Sequence, residues 1–365
     1  MGNLERSTAL LLAAAAAWGQ ATNANASAEK KSFLKGIKVS GLMDSYYGLN
    51  FNHPASKENS LRNFDIKNKR YDLNYGRISF ERSAEPFGFR VDAGLGTATK
   101  LLHGNERAWK GARYIQQAYL SYKIKQLHGA QVDFGKFNTS AGAEVTETHL
   151  NWNYSRSFLY ANGPYYHFGL RTTVPVNKYF TAGWQLVNGW NNIRDNNSGK
   201  TMGFTGALTV GKLSWFNTYY TGPEKVDTTE GRRSFYDTIV AYNPTGKLNF
   251  LVNFDYGRDK RIGAGEDTFW GVATSLRYKV TERFYLSPRW EYYRDRDGFI
   301  TGTPQALREF TGTAEFKLTG HMFTRVEFRR DWSSTPFFDR GNLRMNYPNQ
   351  MTATVGLVAV YGGDH

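Results

Sequence analysis

A two-faced segment of roughly 9–11 residues, the length a tilted strand needs to cross a bilayer, recurs along nearly all of this 365-residue chain. Thr268–Val280, TFWGVATSLRYKV, shows the pattern. One alternate set is Trp270, Val272, Thr274, Leu276, Tyr278 and Val280, apolar with an aromatic near each end. The other is Phe269, Gly271, Ala273, Ser275, Arg277 and Lys279, small, polar and increasingly cationic. Successive side chains of a strand point to opposite faces, so one face is greasy and the other wet. Similar alternation runs through Arg70–Arg82, Phe87–Thr97, Tyr114–Ile124, Tyr165–Val174, Lys178–Trp190, Leu213–Gly222, Phe235–Asn243, Leu248–Gly257, Phe284–Asp295, Phe310–Leu318 and His321–Trp332. The spacing predicts about sixteen strands and no long helix.

The connections alternate in length. Short ones fall at Ser83–Gly88, Lys125–Gly129, around Pro175-Val176-Asn177, and at Val210–Leu213, Asn243–Lys247, Val280–Phe284 and Leu318–Met322. Between them lie long polar loops, Asn52–Lys69, Lys100–Ala112, Asn138–Gly163, Pro223–Arg232 and Ser333–Pro348. A bacterial outer-membrane barrel has an even strand count, short periplasmic turns and long extracellular loops. A soluble sandwich has no reason to obey that rule throughout. The expected fold is therefore all-β, a transmembrane antiparallel β-barrel of about sixteen strands.

Energy decides which face meets lipid. With the polar phase outward, Arg277, Arg289, Arg325 and Arg329 would each sit in or near hydrocarbon. At about 2–4 kcal/mol apiece the cost is on the order of 8–16 kcal/mol, comparable to the whole stability of a typical domain. The arginines must face water, and Trp270, Leu276, Trp290, Val326 and Phe328 must face outward. Such an apolar band would be an aggregation patch on a soluble surface. Aromatic rings with polar tips belong at the edges of the band, where Tyr122, Tyr166, Tyr179, Phe180, Trp215, Tyr256, Trp270, Tyr278, Phe284 and Tyr361 are placed to form two girdles.

Composition narrows the functions. The chain has no cysteine, which excludes disulfides, Cys-ligated zinc, iron–sulfur clusters and thiol nucleophiles. The formal charge is +14, but Lys and Arg are dispersed among Asp and Glu with no basic helix or arm, which argues against nucleic acid. A dispersed excess suits an anion-attracting pore or phosphate-bearing lipid headgroups better. Ala9–Trp18 is apolar yet too short to span about 30 Å of hydrocarbon as a helix. Ala24-Asn25-Ala26 then offers a small-x-small cleavage pattern. Residues 1–26 are thus expected to be a cleaved export signal, with Ser27 the mature N-terminus and 27–365 a single barrel domain.

The stretch Phe134–Arg171, FGKFNTSAGAEVTETHLNWNYSRSFLYANGPYYHFGLR, with VNGWNNIRDNNSGK (Val187–Lys200) and YYTGPE (Tyr219–Glu224), resembles the OmpL-like family of outer-membrane β-barrel porins. The resemblance runs from about Gly36 to the end of the sequence. It implies a Gram-negative outer-membrane channel for small hydrophilic solutes, a homotrimer, with outer-membrane lipid and lipopolysaccharide around it and no cofactor. It also implies that Asn138–Gly163, between the fifth and sixth strands, folds into the lumen and narrows it. Gly142 would allow a tight bend there, and Glu144 and Glu147 supply acidic groups.

Opposite this loop, inward-phase cations fall near mid-strand: Arg77, Arg171, Arg289 and Arg325, with Arg90 and Arg329 further along. Facing rings of charge set ion preference in a narrow pore, so Glu144, Glu147, Arg77, Arg171, Arg289 and Arg325 are the expected constriction, with Arg90 and Arg329 secondary in the lumen, and the channel is expected to favour anions. Glu291 and Glu327, two residues from Arg289 and Arg325, share the lumen face and could neutralise them as wall packing. A solute-specific channel for a sugar or phosphate is the alternative, with Tyr119, Tyr165, Tyr285 and Tyr293 as a stacking track. An outer-membrane barrel enzyme is less favoured. The seven histidines are scattered, with only His167 and His321 on the inward phase, and no phosphate loop, metal spacing or G-x-S-x-G element is present.

Overall fold

The computed structural model describes residues 36–104 and 106–362. The expected signal segment and Ser27 lie outside the described residues. Strands form at β1 (Lys38–Asn50), β2 (Tyr71–Arg82), β3 (Phe87–Leu95), β4 (Ile115–Ile124), β5 (Ala130–Asn138), β6 (Tyr166–Pro175), β7 (Phe180–Val187), β8 (Thr201–Val210) and β9 (Leu213–Pro223). They continue with β10 (Arg232–Tyr242), β11 (Leu248–Lys260), β12 (Glu266–Lys279), β13 (Phe284–Asp295), β14 (Gln305–Lys317) and β15 (Met322–Ser333). A small hairpin, β16 (Phe338–Arg340) and β17 (Leu343–Tyr347), precedes the last strand, β18 (Asn349–Tyr361). Two short helices, α1 (Thr97–Leu102) and α2 (Phe158–Asn162), lie in loops.

Every barrel strand pairs antiparallel with its chain neighbours, and β18 returns to β1, with Leu42 opposite Val360 and Tyr46 opposite Gly356. The result is a closed barrel of sixteen strands. Closure leaves no open edge, which is the only way a sheet can satisfy its backbone in lipid. The hairpin β16–β17 stands apart from that sheet, in the stretch Ser333–Pro348 expected to be a long polar loop.

Side chains alternate as the energy argument requires. Along β15, Val326 and Phe328 are exposed outward while Arg325, Glu327 and Arg329 are buried inside. Tyr122, Trp215, Trp270 and Tyr278 are likewise exposed on the outer wall. Tyr166 is not: it is buried, its ring stacked on His103 at 4.7 Å and its hydroxyl donating to Glu106 and the Asn191 carbonyl. It sits at the first residue of β6 on the phase opposite His167, and residues of the long connections, His103, Glu106 and Asn191, cover it. His321 also departs from expectation, lying in the β14–β15 turn at the surface and not on the lumen wall. Strand β3 stops at Leu95, short of Thr97, because Gly96 takes φ 114 and a Cβ there would lie 2.4 Å from the Asn74 carbonyl oxygen. Helix α1 starts at the next residue.

The upper interior, toward the long loops, is partly dry. Phe235, Phe269, Tyr293 and Leu307 from the wall pack with Phe158 and Leu159 of α2 and with Phe338 of the hairpin. A second cluster joins Leu42, Tyr46, Tyr75 and Val358 of the wall to Phe64 and to Tyr154. The loops thus bury apolar groups inside the barrel and do not simply stand above it.

Candidate functional site

The connection between β5 and β6, residues 139–165, crosses the lumen, and its course can be followed from its partners. At its start the Ser140 amide donates to the Tyr220 hydroxyl at 3.2 Å, and its side chain accepts from Gln185 at 2.8 Å. The Ala143 amide then reaches Asn253 on β11 at 3.0 Å. Glu144 pairs with Arg289 on β13 and Glu147 with Arg77 on β2, each at 2.6 Å. Thr148 donates to Asp44 on β1. Asn153 donates to Thr313 on β14 and to the Ser287 carbonyl, both at 2.8 Å. Partners on strands spread around the barrel mean that this segment runs inside it.

Two carboxylates receive its far half. Glu327 accepts the consecutive amides of Tyr154 and Ser155 at 2.6 and 2.9 Å. Glu291 accepts those of Phe158 and Leu159, both at 2.7 Å, at the start of α2, where Ser157 also caps the Tyr160 amide. Backbone amides without helical partners are satisfied by wall side chains, which makes the loop part of the interior hydrogen-bond network.

The arginines complete the docking. Arg325, 0% exposed at its side chain, binds Glu315 at 2.7 Å and donates to the carbonyls of Thr148, Asn151 and Asn153. Arg289, 1% exposed, holds Glu309 at 2.7 Å, Glu144, and the Ser155 carbonyl. Arg329 pairs with Asp331 at 2.7 Å and Glu309 at 3.1 Å and donates to the Arg156 carbonyl. So three of the expected cations sit beneath the loop, each paired with a carboxylate, and bind its backbone, Arg329 keeping one buried Nη without a partner. Arg77 reaches the loop through Glu147. Arg171 does not: it pairs with Asp133 on β5 at 2.7 Å, over the Phe137 ring. Arg90 pairs with Asp92 and Glu81 within the wall and keeps 17% of its side chain exposed.

Around the loop the carboxylates Asp44, Glu144, Glu147, Glu291, Glu309, Glu315 and Glu327 outnumber the guanidinium groups of Arg77, Arg156, Arg289, Arg325 and Arg329. The middle of the barrel therefore carries no surplus of positive charge. The tyrosines expected to form a track are also dispersed. Tyr293 is buried in the upper apolar cluster, and the Tyr165 hydroxyl is bound to the Ala161 carbonyl. Tyr285 lies under Arg277 and Lys317, and Tyr119 under Arg171.

Several residues that position the loop carry no sequence motif. Arg156 donates to the carbonyls of Val145, Tyr154 and Thr146 and lies 4.0 Å over the Phe64 ring, tying the loop to the β1–β2 connection. Gly356 and Gly271 are notches: a Cβ would lie 2.3 Å from the Tyr154 ring and 2.8 Å from Leu159. Among the long loops, His103 is buried after α1, its Nδ1 donating to the Thr99 carbonyl at 3.0 Å. Burial, reinforced by the nearby Lys136, pushes its imidazole down to about 3.

The family model described as "Putative beta-barrel porin-2, OmpL-like" matches residues 36–360. The chain belongs to this family. Comparison with solved structures gives the same architecture for this OmpL-like porin. It is similar to an anion-selective porin from Comamonas acidovorans, with TM-score 0.61 and 12% identity over 89% of this chain and 99% of the other. It is also similar to OprB of Pseudomonas putida, with TM-score 0.60 and 10% identity over 90% and 94% of the two chains. The trimer form of OmpT, an outer membrane protein of Vibrio cholerae, matches with TM-score 0.59 and 10% identity over 89% and 99%. No curated protein matches the chain. Family and fold together make the OmpL-like porin an outer-membrane channel.

Proposed function

We propose that this channel passes small hydrophilic solutes and ions by passive diffusion, with a preference for anions. In this reading the loop 139–165 is the constriction and the passage skirts its β2–β6 side. The loop keeps partial exposure at Glu144–Thr146, and so do Arg90 and, more slightly, Arg77 on the wall of that side. Glu144, Glu147 and Arg77 border that passage, while Arg289, Arg325, Arg329, Glu291 and Glu327 fix the loop, and Arg171 stiffens the wall behind it. Residues 1–26 serve as a cleaved export signal and the barrel assembles as a homotrimer surrounded by lipid.

The observation that carries the anion preference is the short-turn end of the barrel. Lys38, Lys123, Lys125, Lys178, Lys212, Lys247, Lys279, Arg283 and Lys317 lie there, one or more beside nearly every turn, against Glu81, Glu85 and Glu282. A mouth lined by one sign of charge concentrates ions of the other. The preference thus comes from the rim, and not from the arginines of the middle.

Reversal potential in a planar bilayer under a salt gradient is the test. The wild-type barrel is expected to show anion preference, and Lys178→Glu, Lys212→Glu and Lys247→Glu together to move it toward cations. A cation-preferring wild type removes the selectivity reading, and absence of conductance removes the channel.

A further inference from the structure

Inside the barrel every arginine of β13–β15 has a carboxylate partner. On the outside the reverse holds. Arg294 on β13, Arg308 on β14 and Arg330 on β15 occupy outward positions, between the buried inward residues Tyr293 and Asp295, Leu307 and Glu309, and Arg329 and Asp331. Among the described residues, no carboxylate comes within ion-pair distance of these three, although Arg258 two strands away pairs with Glu266 at 3.6 Å.

Register brings the three together. Arg308 lies opposite Tyr292, two residues from Arg294, and Arg330 lies opposite Phe310, two residues from Arg308. Each is the diagonal neighbour of the next on one face of the sheet, at a separation of about 7–8 Å. Like charges so placed repel unless an anion lies between them. Arg330 also has a buried Nε with no partner and lies 4.8 Å over the Trp332 ring. Arg232, Arg258 and Lys260 extend the same outward row along β10 and β11. Over β1–β9 the outward positions toward the long loops are instead Tyr47, Leu73, Leu95, Leu186 and Tyr219. The cationic belt is one-sided.

Its level on the wall names the ligand. Immediately toward the barrel middle the outward residues are Trp270, Trp290, Tyr292 and Phe310, the rings that mark the edge of a hydrocarbon band. A group that neutralises the belt must carry phosphate or a comparable anion while its acyl chains lie along those rings. We infer that Arg294, Arg308 and Arg330 form a binding site for the phosphorylated headgroup of an outer-leaflet glycolipid. Planar guanidinium groups suit phosphate through paired N–H donors. This rests on the outer-membrane reading above, since it needs the long loops to face the outer leaflet.

Native mass spectrometry of the purified barrel in detergent, titrated with bis-phosphorylated lipid A, tests the site. Wild type should retain the lipid, and the triple variant Arg294→Gln, Arg308→Gln, Arg330→Gln should lose at least tenfold in affinity; should that variant not fold, Arg330→Gln alone should lose severalfold. Dephosphorylated lipid A should bind at least tenfold more weakly than the bis-phosphorylated form, and millimolar inorganic phosphate should not displace it. Equal binding by wild type and variants, by the dephosphorylated form, or by phosphatidylglycerol would overturn the assignment, as would displacement by free phosphate. Conductance separates the two readings. Variants that conduct normally while binding is unchanged sink the site alone, and a chain that binds lipid A but passes no current sinks the channel alone.

Discussion

Arg325 shows how one side chain serves two structures, giving its Nε and one Nη to Glu315 on the neighbouring strand and the rest of its donors to three loop carbonyls. Truncating one member of a buried ion pair commonly costs about 3–5 kcal/mol, because the partner is left charged and unpaired. Arg325→Ala is therefore expected to loosen the loop more than the barrel, which stays closed by its own backbone ladder. The readout is single-channel current, which should become larger and noisier, with the unfolding temperature little changed relative to the change in current. A quiet channel of wild-type size would remove Arg325 from the docking. Selectivity is a separate matter. Arg171→Ala and Arg325→Ala leave Asp133 and Glu315 uncompensated, so the reversal potential should move toward cations; no movement in Arg171→Ala would take Asp133 off the ion path.

At the scale of elements, the loop 139–165 seats its bulk in notches of the wall. Gly356→Val puts two methyls where the Tyr154 ring lies, and that ring has no room to retreat among Tyr46, Tyr75 and Phe64. The variant is expected to fold as a barrel and still expose the loop to protease, with cleavage mapping within residues 139–165; resistance equal to wild type would show that the notch is dispensable. The connection around α1 responds to pH by another route. His103 is neutral when packed and has an ordinary value of 6.5 lowered to about 3, so its contribution is full above 6.5 and is lost as pH falls toward 3. The protection factors of residues 96–104, which take out the intrinsic slowing of amide exchange in acid, should fall by up to about tenfold per pH unit as pH drops through that window, and His103→Phe should flatten the dependence while keeping the stack on Tyr166.

Strand positions were legible because lipid imposes period two with a penalty for every error. Phe284–Asp295 is read to the residue, and the loop between β5 and β6 falls where expected. The reading weakens just where lipid ends. Phe310–Leu318 misses the first residues of β14, from Gln305 to Glu309, because outward Arg308 is charged while inward Leu307 is apolar, which reverses the alternation. The hairpin β16–β17, FDR and LRMNY, is hidden as well. The partners of Arg289 and Arg325 were not legible at all: the loop groups they bind lie more than a hundred residues away, and an inward arginine looks alike whether it faces water or a docked backbone.

For the whole molecule, the outer wall of Val326, Phe328, Trp290, Leu357 and their neighbours is wide enough to require detergent. The purified barrel should resist sodium dodecyl sulfate at room temperature and change its migration on a gel only after boiling; identical migration before and after heating would argue against a closed barrel. The joint between β1 and β18 has a further consequence. Fourteen of the barrel's seams join strands that follow one another directly in sequence and a fifteenth joins β15 to β18, whereas this one joins Gly41 to Tyr361 across the entire chain. Such a ring has no partial version: until its final ribbon arrives, both borders stay unpaired and neither can tolerate oil. Shortening the chain before Asn349 should thus abolish insertion outright instead of yielding a narrower pore, and the last thirteen residues of sheet decide whether all the others ever meet a membrane.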